Sequence, residues 1–174
     1  MTGFTIRSCA ASDIPAITAI YRPAVLTGTA SFEIEPPDEA EMERRREALL
    51  AGNHPYLVAE REGALIGYAY AGLYRARPAY RSTVENSVYV RHGEQGQGLG
   101  RALLAALIEK AGARGFRQMI AVIGDSANTP SIALHAALGF ELVGTLRAVG
   151  WKHGRWLDTV LMQRALGPGD GAPR

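Results

Sequence analysis

Apolar and polar positions change their spacing several times along the 174-residue chain. "FTIR" (4–7) reads as a short opening strand. "SDIPAITAIYRPAVLTG" then predicts a helix capped by Ser12, with Asp13 favoured at the positive helix end and Pro15 tolerated in the first turn. Pro23 is expected to kink or end it. "FEIEPPDEAEMERRREALLAGN" predicts a Pro-marked loop and a charged, amphipathic helix reaching about Leu50. "YLVAE" (56–60) and "LIGYAYAGLYR" (65–75), joined at "REGA", read as a β-hairpin. "STVENSVYV" (82–90) is a further strand. In the helix that follows, Leu99, Leu103, Leu107 and Ala111 share one face at spacing four, with Leu104 and Ile108 beside them. "RQMIAVIG" (117–124), a helix from about 128–130, and two strands, "ELVGTLRAVGW" and "WLDTVLMQRAL", complete the pattern. "GPGDGAPR" (167–174) has almost nothing to bury and is expected to be disordered.

The order βααβββαβαββ predicts a single α/β domain over 1–166, with a mixed sheet and helices on both faces. Strand, glycine loop, helix and strand in the middle form a crossover unit, so that pair of strands should be parallel. Composition adds little beyond exclusions. Nearly half the residues are hydrophobic and a fifth charged, as in ordinary globular proteins. A net charge of +2 is too small to argue for nucleic acid or an acidic membrane surface. Cys9, the single cysteine, reads as a small buried hydrophobe without an internal disulfide partner. No apolar run approaches the roughly 18–20 residues of a membrane span, and no signal-peptide pattern opens the chain, so a cytoplasmic protein is expected.

Candidate chemistry begins at "EQGQGLGR", where Gly96, Gly98 and Gly100 run into the Leu-rich helix. A dinucleotide fingerprint fails, because its sixth position counted from Gly96 is Arg101. A P-loop fails as well, since Gly98 is followed by Leu99 and no lysine is present. What remains is a tight pyrophosphate cradle. Glycines let consecutive backbone N–H groups converge, a helix N-terminus adds unpaired donors, and Arg101 adds a full charge. The plainer alternative is a flexible turn before a helix.

Upstream, alternation sets Thr83, Glu85 and Ser87 on one strand face and Val84, Asn86 and Val88 on the other. Glu85 amid β-branched residues is a candidate general base, against the alternative of a solvated carboxylate. Arg75 and Arg77 in "YRARPAYR" offer planar forks for carboxylate or phosphinate oxygens, unless they are merely solvated. "GWKHGRWLD" reads as a hairpin turn with pocket or dimer roles open.

Gln95-x-x-Gly98-x-Gly100 after "SVYV", followed by "NTPSIALHAALGF", resembles the GCN5-related N-acetyltransferase (GNAT) family. "AYAGLYRARPAYRSTVENSVYV", "IAVIGDSANTPSIALHAALGF" and "GWKHGRWLD" are similar, more narrowly, to its phosphinothricin and methionine sulfone/sulfoximine N-acetyltransferases. The resemblance implies a mostly antiparallel sheet around a parallel β-α-β coenzyme A unit, acetyl-CoA as co-substrate, and no metal. It implies that residues 95–101 (Gln95, Gly96, Gln97, Gly98, Leu99, Gly100 and Arg101) hold the pyrophosphate. Backbone groups of Val88, Tyr89 and Val90 would pair with the pantetheine, and Val90 N–H would face the developing oxyanion. Asn128 would bond the coenzyme while capping its helix. Glu85 matches the family's glutamate base. His135 stands where many members carry a tyrosine acid, leaving its role as base, acid or structural residue open. Residues 75–77 (Arg75, Ala76, Arg77) and 85–87 (Glu85, Asn86, Ser87), with Phe32 as an apolar wall, would contact the acceptor. A homodimer is expected by resemblance alone. The expected activity is acetylation of a small amino acid analogue. The alternatives are acetylation of protein N-termini or other amines, and a non-catalytic coenzyme A-binding module.

Overall fold

The structure, a computed structural model, describes residues 3–172. Its elements run β1 (Thr5–Ser8), α1 (Ile14–Leu26), α2 (Glu39–Ala51), β2 (Tyr56–Arg61), β3 (Ala64–Leu73), β4 (Thr83–Val90), α3 (Leu99–Ala113), β5 (Gln118–Gly124), α4 (Thr129–Ala137), β6 (Glu141–Lys152) and β7 (Arg155–Ala165). This is the order that the patterning predicts. One seven-stranded sheet forms in the order β1-β2-β3-β4-β5-β7-β6. Only β4 and β5 are parallel, as the crossover through α3 requires.

Period-two alternation divides the core into two layers. One face of β2, β3 and β4 presents Leu57, Ala59, Ala69, Ala71 and Val84 to Leu99, Leu103, Leu104, Leu107 and Ala111 of α3. The other presents Tyr56, Val58 and Tyr68 to Ile14, Ile17, Tyr21 and Val25 of α1 and Met42 of α2. Cys9 is buried with this second layer.

Three local expectations change. Ser12 does not cap α1; a 3₁₀ turn, Ala11–Asp13, leads into the helix. The Asp13 carboxylate is the fastener there, accepting from Ala10 N at 2.8 Å and from both terminal nitrogens of Arg7 at 2.7 and 2.8 Å. Pro23 neither ends nor breaks α1. The helix continues to Leu26, and the Pro23 carbonyl accepts from Thr27 N and Gly28 N to close it. Beyond β7, Leu166 is buried and residues 167–172 fold back in turns, where Arg117 Nη1 donates to Gly169 O at 3.0 Å. That much of the expected disordered tail has a hydrogen-bonded path; 173–174 lie outside the described residues.

Asp13→Asn is expected to cost about 1.5–3 kcal/mol in urea unfolding at pH 7, the range of charge-assisted hydrogen bonds. The hydrogen bonds from Arg7 hold the Asp13 carboxyl below its ordinary value. The stabilisation is therefore complete above the unfolded pKa of about 4 and is lost as pH falls through the folded-state value. The gap between wild type and variant should close in acid.

Candidate active site

The parallel pairing of β4 and β5 is short: Thr83↔Gln118, Val84↔Met119, Glu85↔Ile120, and no further. Beyond it β5 stays with β7 as far as Gly124, while β4 stays with β3 as far as Val90. A gap opens between the two strands. Arg91 N donates to Ile66 O at 2.9 Å, so odd-numbered residues of β4 turn their backbone groups towards β3. Those of Val88 and Val90 must then face the gap. Tyr89, expected to offer backbone groups beside them, uses its own in the sheet; its side chain stacks on Tyr68.

A cavity of about 320 Å³ passes through this gap. From the α1 side it is lined by Tyr21, Ala30, Ser31, Phe32, Tyr70, Glu85, Ser87 and Tyr89, and from the α4 side by Asn86, Val88, Asn128, Ser131 and His135. Register explains the division. Glu85, Ser87 and Tyr89 pair with Gly72, Tyr70 and Tyr68 on the α1 face, whereas Asn86 and Val88 pair with Ala71 and Ala69 on the α3 face. Glu85 and His135 therefore approach the gap from opposite faces of the sheet. The Glu85 carboxylate has no hydrogen-bond or ion-pair partner among the described residues, and burial pushes its pKa above the ordinary carboxyl value. A carboxylate in that state is a stronger base than one in water.

His135 is buried and its ring packs edge-on against Phe140, 4.9 Å between centroids. Nδ1 lies 2.7 Å from Ser131 O and Nε2 lies 2.9 Å from Asn86 Oδ1. Asn86 in turn donates Nδ2–H to Ile120 O at 3.1 Å, bridging the strands just where their pairing stops. Carbonyls stand at both ends of this chain and can only accept. All three contacts become hydrogen bonds only when both His135 nitrogens carry protons. Burial opposes that state and lowers the His135 pKa, while the bond to Ser131 O raises it. Burial thus favours the neutral ring, in which one of the two nitrogens lacks a proton; when both carry one, the ring is a stronger acid than a free imidazolium.

The glycine loop follows β4 and leads into α3. Gly96 and Gly98 have φ of 77° and 81°, and a Cβ on either would meet nothing within 4 Å. Backbone handedness, not packing, demands glycine at both. Gly100 is helical and makes no such demand. Gly98 is the residue before α3, so the N–H groups of Leu99, Gly100 and Arg101 have no partner within the helix. The Leu99 side chain is core, and Arg101 is exposed without an ion pair. Both glutamines brace the loop: Gln95 Oε1 accepts from Gly93 N at 2.8 Å, and Gln97 Oε1 accepts from Arg61 Nη2 at 3.2 Å. Glu94, paired with Arg61 and Arg91 at 2.7 and 3.1 Å, pins the loop to the sheet. Asn128 caps α4 by accepting from Ser131 N at 3.3 Å and also lines the cavity.

Arg75, Ala76 and Arg77 lie outside the cavity lining, on the exposed segment after β3. Arg75 stacks over Tyr74 and Tyr80 at 5.2 and 5.8 Å, and neither arginine has an ion pair. Tyr21, Ser31, Tyr70 and Ser131 enter the site without any signal in the sequence reading. The open backbone edge, the unpaired donors of α3 and the charge of Arg101 suit a long ligand carrying amides and a pyrophosphate.

The acetyltransferase (GNAT) family model matches residues 17–140. The chain is 56% identical over 166 residues to the phosphinothricin N-acetyltransferase of Alcaligenes faecalis, covering 95% of this chain and 84% of that protein. It is 45% identical over 170 residues to the L-methionine sulfoximine/L-methionine sulfone acetyltransferase of Pseudomonas paraeruginosa, covering 97% and 98%. A crystal structure of a phosphinothricin acetyltransferase from Sinorhizobium meliloti in complex with AcCoA superposes with a TM-score of 0.95 at 52% identity, covering 99% of this chain and 93% of that one. The chain belongs to the acetyltransferase (GNAT) family. It is an N-acetyltransferase, and acetyl-CoA is its acetyl donor.

Asn86→Leu removes the acceptor for Nε2–H without much change of volume. The His135 pKa, followed by NMR titration of the imidazole, is expected to fall below its wild-type value. An unchanged value would show that the bond to Asn86 does not hold the proton.

Proposed function

We propose that this acetyltransferase acts on the amine of a small amino acid analogue of the phosphinothricin, methionine sulfone or methionine sulfoximine type. Transfer is direct, with donor and acceptor held together across the β4–β5 gap. The observation that carries this reading is the unpaired, burial-raised Glu85 on one face of the gap opposite the doubly hydrogen-bonded His135 on the other. The relatives that act on these analogues match nearly the whole chain.

An α-ammonium is mostly protonated at neutral pH and cannot attack a carbonyl. Glu85 takes that proton, directly or through a water, on the α1 side, passes it to solvent, and then takes the second proton that the nitrogen sheds as the C–N bond forms. Acetyl-CoA supplies an activated acetyl group whose thiolate departs on transfer. Val90 N–H, facing the gap, stabilises negative charge developing on the carbonyl oxygen. His135 returns a proton to the departing sulfur on the α4 side. The loop from Gln95 to Gly98, the first N–H groups of α3, Arg101 and Asn128 hold the coenzyme. Phe32, Asn86 and Ser87, which line the cavity, contact the acceptor; Arg75 and Arg77, on the exposed segment with Ala76 outside that lining, reach its anionic oxygens only where these project beyond the cavity.

The proposal extends to a cytoplasmic homodimer. No helix among the described residues is long and apolar enough to cross a membrane. Cys9 is unpaired, as suits a reducing compartment. The edge strand β6 exposes Leu142, Val143, Leu146, Val149 and Trp151, and Trp156 of β7 is 62% exposed beside them. An apolar stripe on a sheet edge supports pairing with a second copy.

Glu85→Gln is expected to lower kcat on the order of 10²–10⁴-fold, as for loss of a general base, with acetyl-CoA affinity unchanged. Thiol release across the three analogues, free amino acids and N-terminal peptides measures it. In wild type, kcat/KM should rise with pH until Glu85 is ionised, along a limb above the ordinary carboxyl range. Release with peptides alone would replace the acceptor class, and no amine-dependent release would leave a coenzyme-binding module. Separately, Trp156→Arg should convert a dimer to monomer in sedimentation velocity.

A further inference from the structure

We infer that the end of β6 positions the apolar wall of the acceptor pocket: Gly150 makes room for the Phe32 ring, and Lys152 ties down the loop that carries it. This rests on the reading that the cavity above Glu85 receives the acceptor.

Phe32 lies in the segment 27–34 between α1 and α2, which has no regular structure of its own. Its outer fastenings come from the β6–β7 turn. Lys152 Nζ donates to Ser31 O at 2.6 Å, and His153 Nε2 donates to Gly28 O at 3.1 Å. From within, Tyr21 OH meets Ser31 Oγ at 2.7 Å and donates to Glu33 Oε1 at 2.8 Å, and Arg45 Nη1 donates to that same oxygen at 2.6 Å. Lys152 is the unusual member. It is 4% exposed although it borders a surface turn, where a lysine could place its ammonium in water at no cost. Burying the charge is unfavourable unless partners compensate, and burial lowers its pKa while Glu33 raises it. Holding the Ser31 carbonyl gives that burial a purpose.

The ring beside this anchor occupies space that two glycines leave open. The three atoms nearest to a Cβ on Gly150 all belong to the Phe32 ring: Cε2, with Cδ2 and Cζ at 2.7 and 3.0 Å. A Cβ on Gly124 would lie 2.9 Å from Phe32 Cε1 and would also strike the Thr29 carbonyl. At position 150 the obstruction is a half-exposed side chain that can swing aside, so Gly150→Ala should move the ring rather than break the fold. Because the ring also lines the cavity, moving it reshapes that cavity. The shape of the acceptor pocket is thus set some 120 positions away in the chain, by residues outside the cavity lining.

Steady-state kinetics of Gly150→Ala and Lys152→Met should show the acceptor KM raised about tenfold, the effect of one misplaced packing contact, with acetyl-CoA KM within about twofold of wild type. Phe32→Leu added to Gly150→Ala should restore much of the loss, because a shorter side chain clears the new methyl. A crystal structure of Gly150→Ala should show the ring displaced. If the ring stays in place, if acceptor KM is unchanged in both variants, or if Phe32→Leu fails to rescue, the inference is overturned. Failure of the underlying acceptor reading is distinguishable: wild type would then acetylate none of the amines, while the ring position in Gly150→Ala would still decide the positioning claim.

Discussion

Everything at the site depends on β4 and β5 parting after the Glu85↔Ile120 pair. A parallel sheet that stayed zipped would bury the backbone of Val88 and Val90 in its own ladder and leave no passage between its faces. Because the strands separate, unsatisfied backbone groups line a gap in mid-sheet, where they are normally all paired. Asn86 closes the apex by bonding Ile120 O, so the opening has a defined end. β5 can leave β4 because β7 pairs with it along its whole length. The last hairpin is therefore a condition of the gap as well as a wall of the pocket.

Placing two titratable groups on opposite faces of that gap separates their chemistry by environment. Burial acts on both and pushes each towards its neutral form, so it raises Glu85 and lowers His135. Glu85 has no compensating partner and holds a proton more readily than a free carboxylate. His135 has two acceptors that need its protons, and these offset part of the cost. Glu85 is thereby a stronger base than a free carboxylate, and His135, when protonated, a stronger acid than a free imidazolium.

The loop before α3 shows a different division of labour. Gly96 and Gly98 are required by the sign of φ, while Glu94, Gln95 and Gln97 use their side chains inside the protein to fix the turn. That leaves the backbone donors and Arg101 facing outwards. Leu99 and the rest of the α3 stripe bury the helix against the sheet, which sets the direction of its N-terminus.

Much of this was legible in the sequence, because it depends on local periodicity and stereochemistry. Spacing four in α3, alternation in β4, the two-residue hairpin turns and the glycine loop are written in neighbouring residues. Glu85 stood out as a carboxylate among β-branched residues, whereas His135 stood out only through the family resemblance, as the position where many members carry a tyrosine. Other features needed the third dimension. Asp13 displaced Ser12 as the fastener of α1 because Arg7, from another element, reached it. Tyr89 lost its expected backbone role once register turned it towards β3. Tyr21 of α1 and Lys152 of β6 converge on Ser31 in the loop between α1 and α2, and no local pattern announces a contact spanning 121 positions. By itself the sequence determined which segments are helix and strand and where a glycine loop meets the N-terminus of α3. Only the tertiary structure decided where the sheet opens, which side chains meet there and what lines the cavity, since those follow from long-range pairing that each segment alone leaves undetermined.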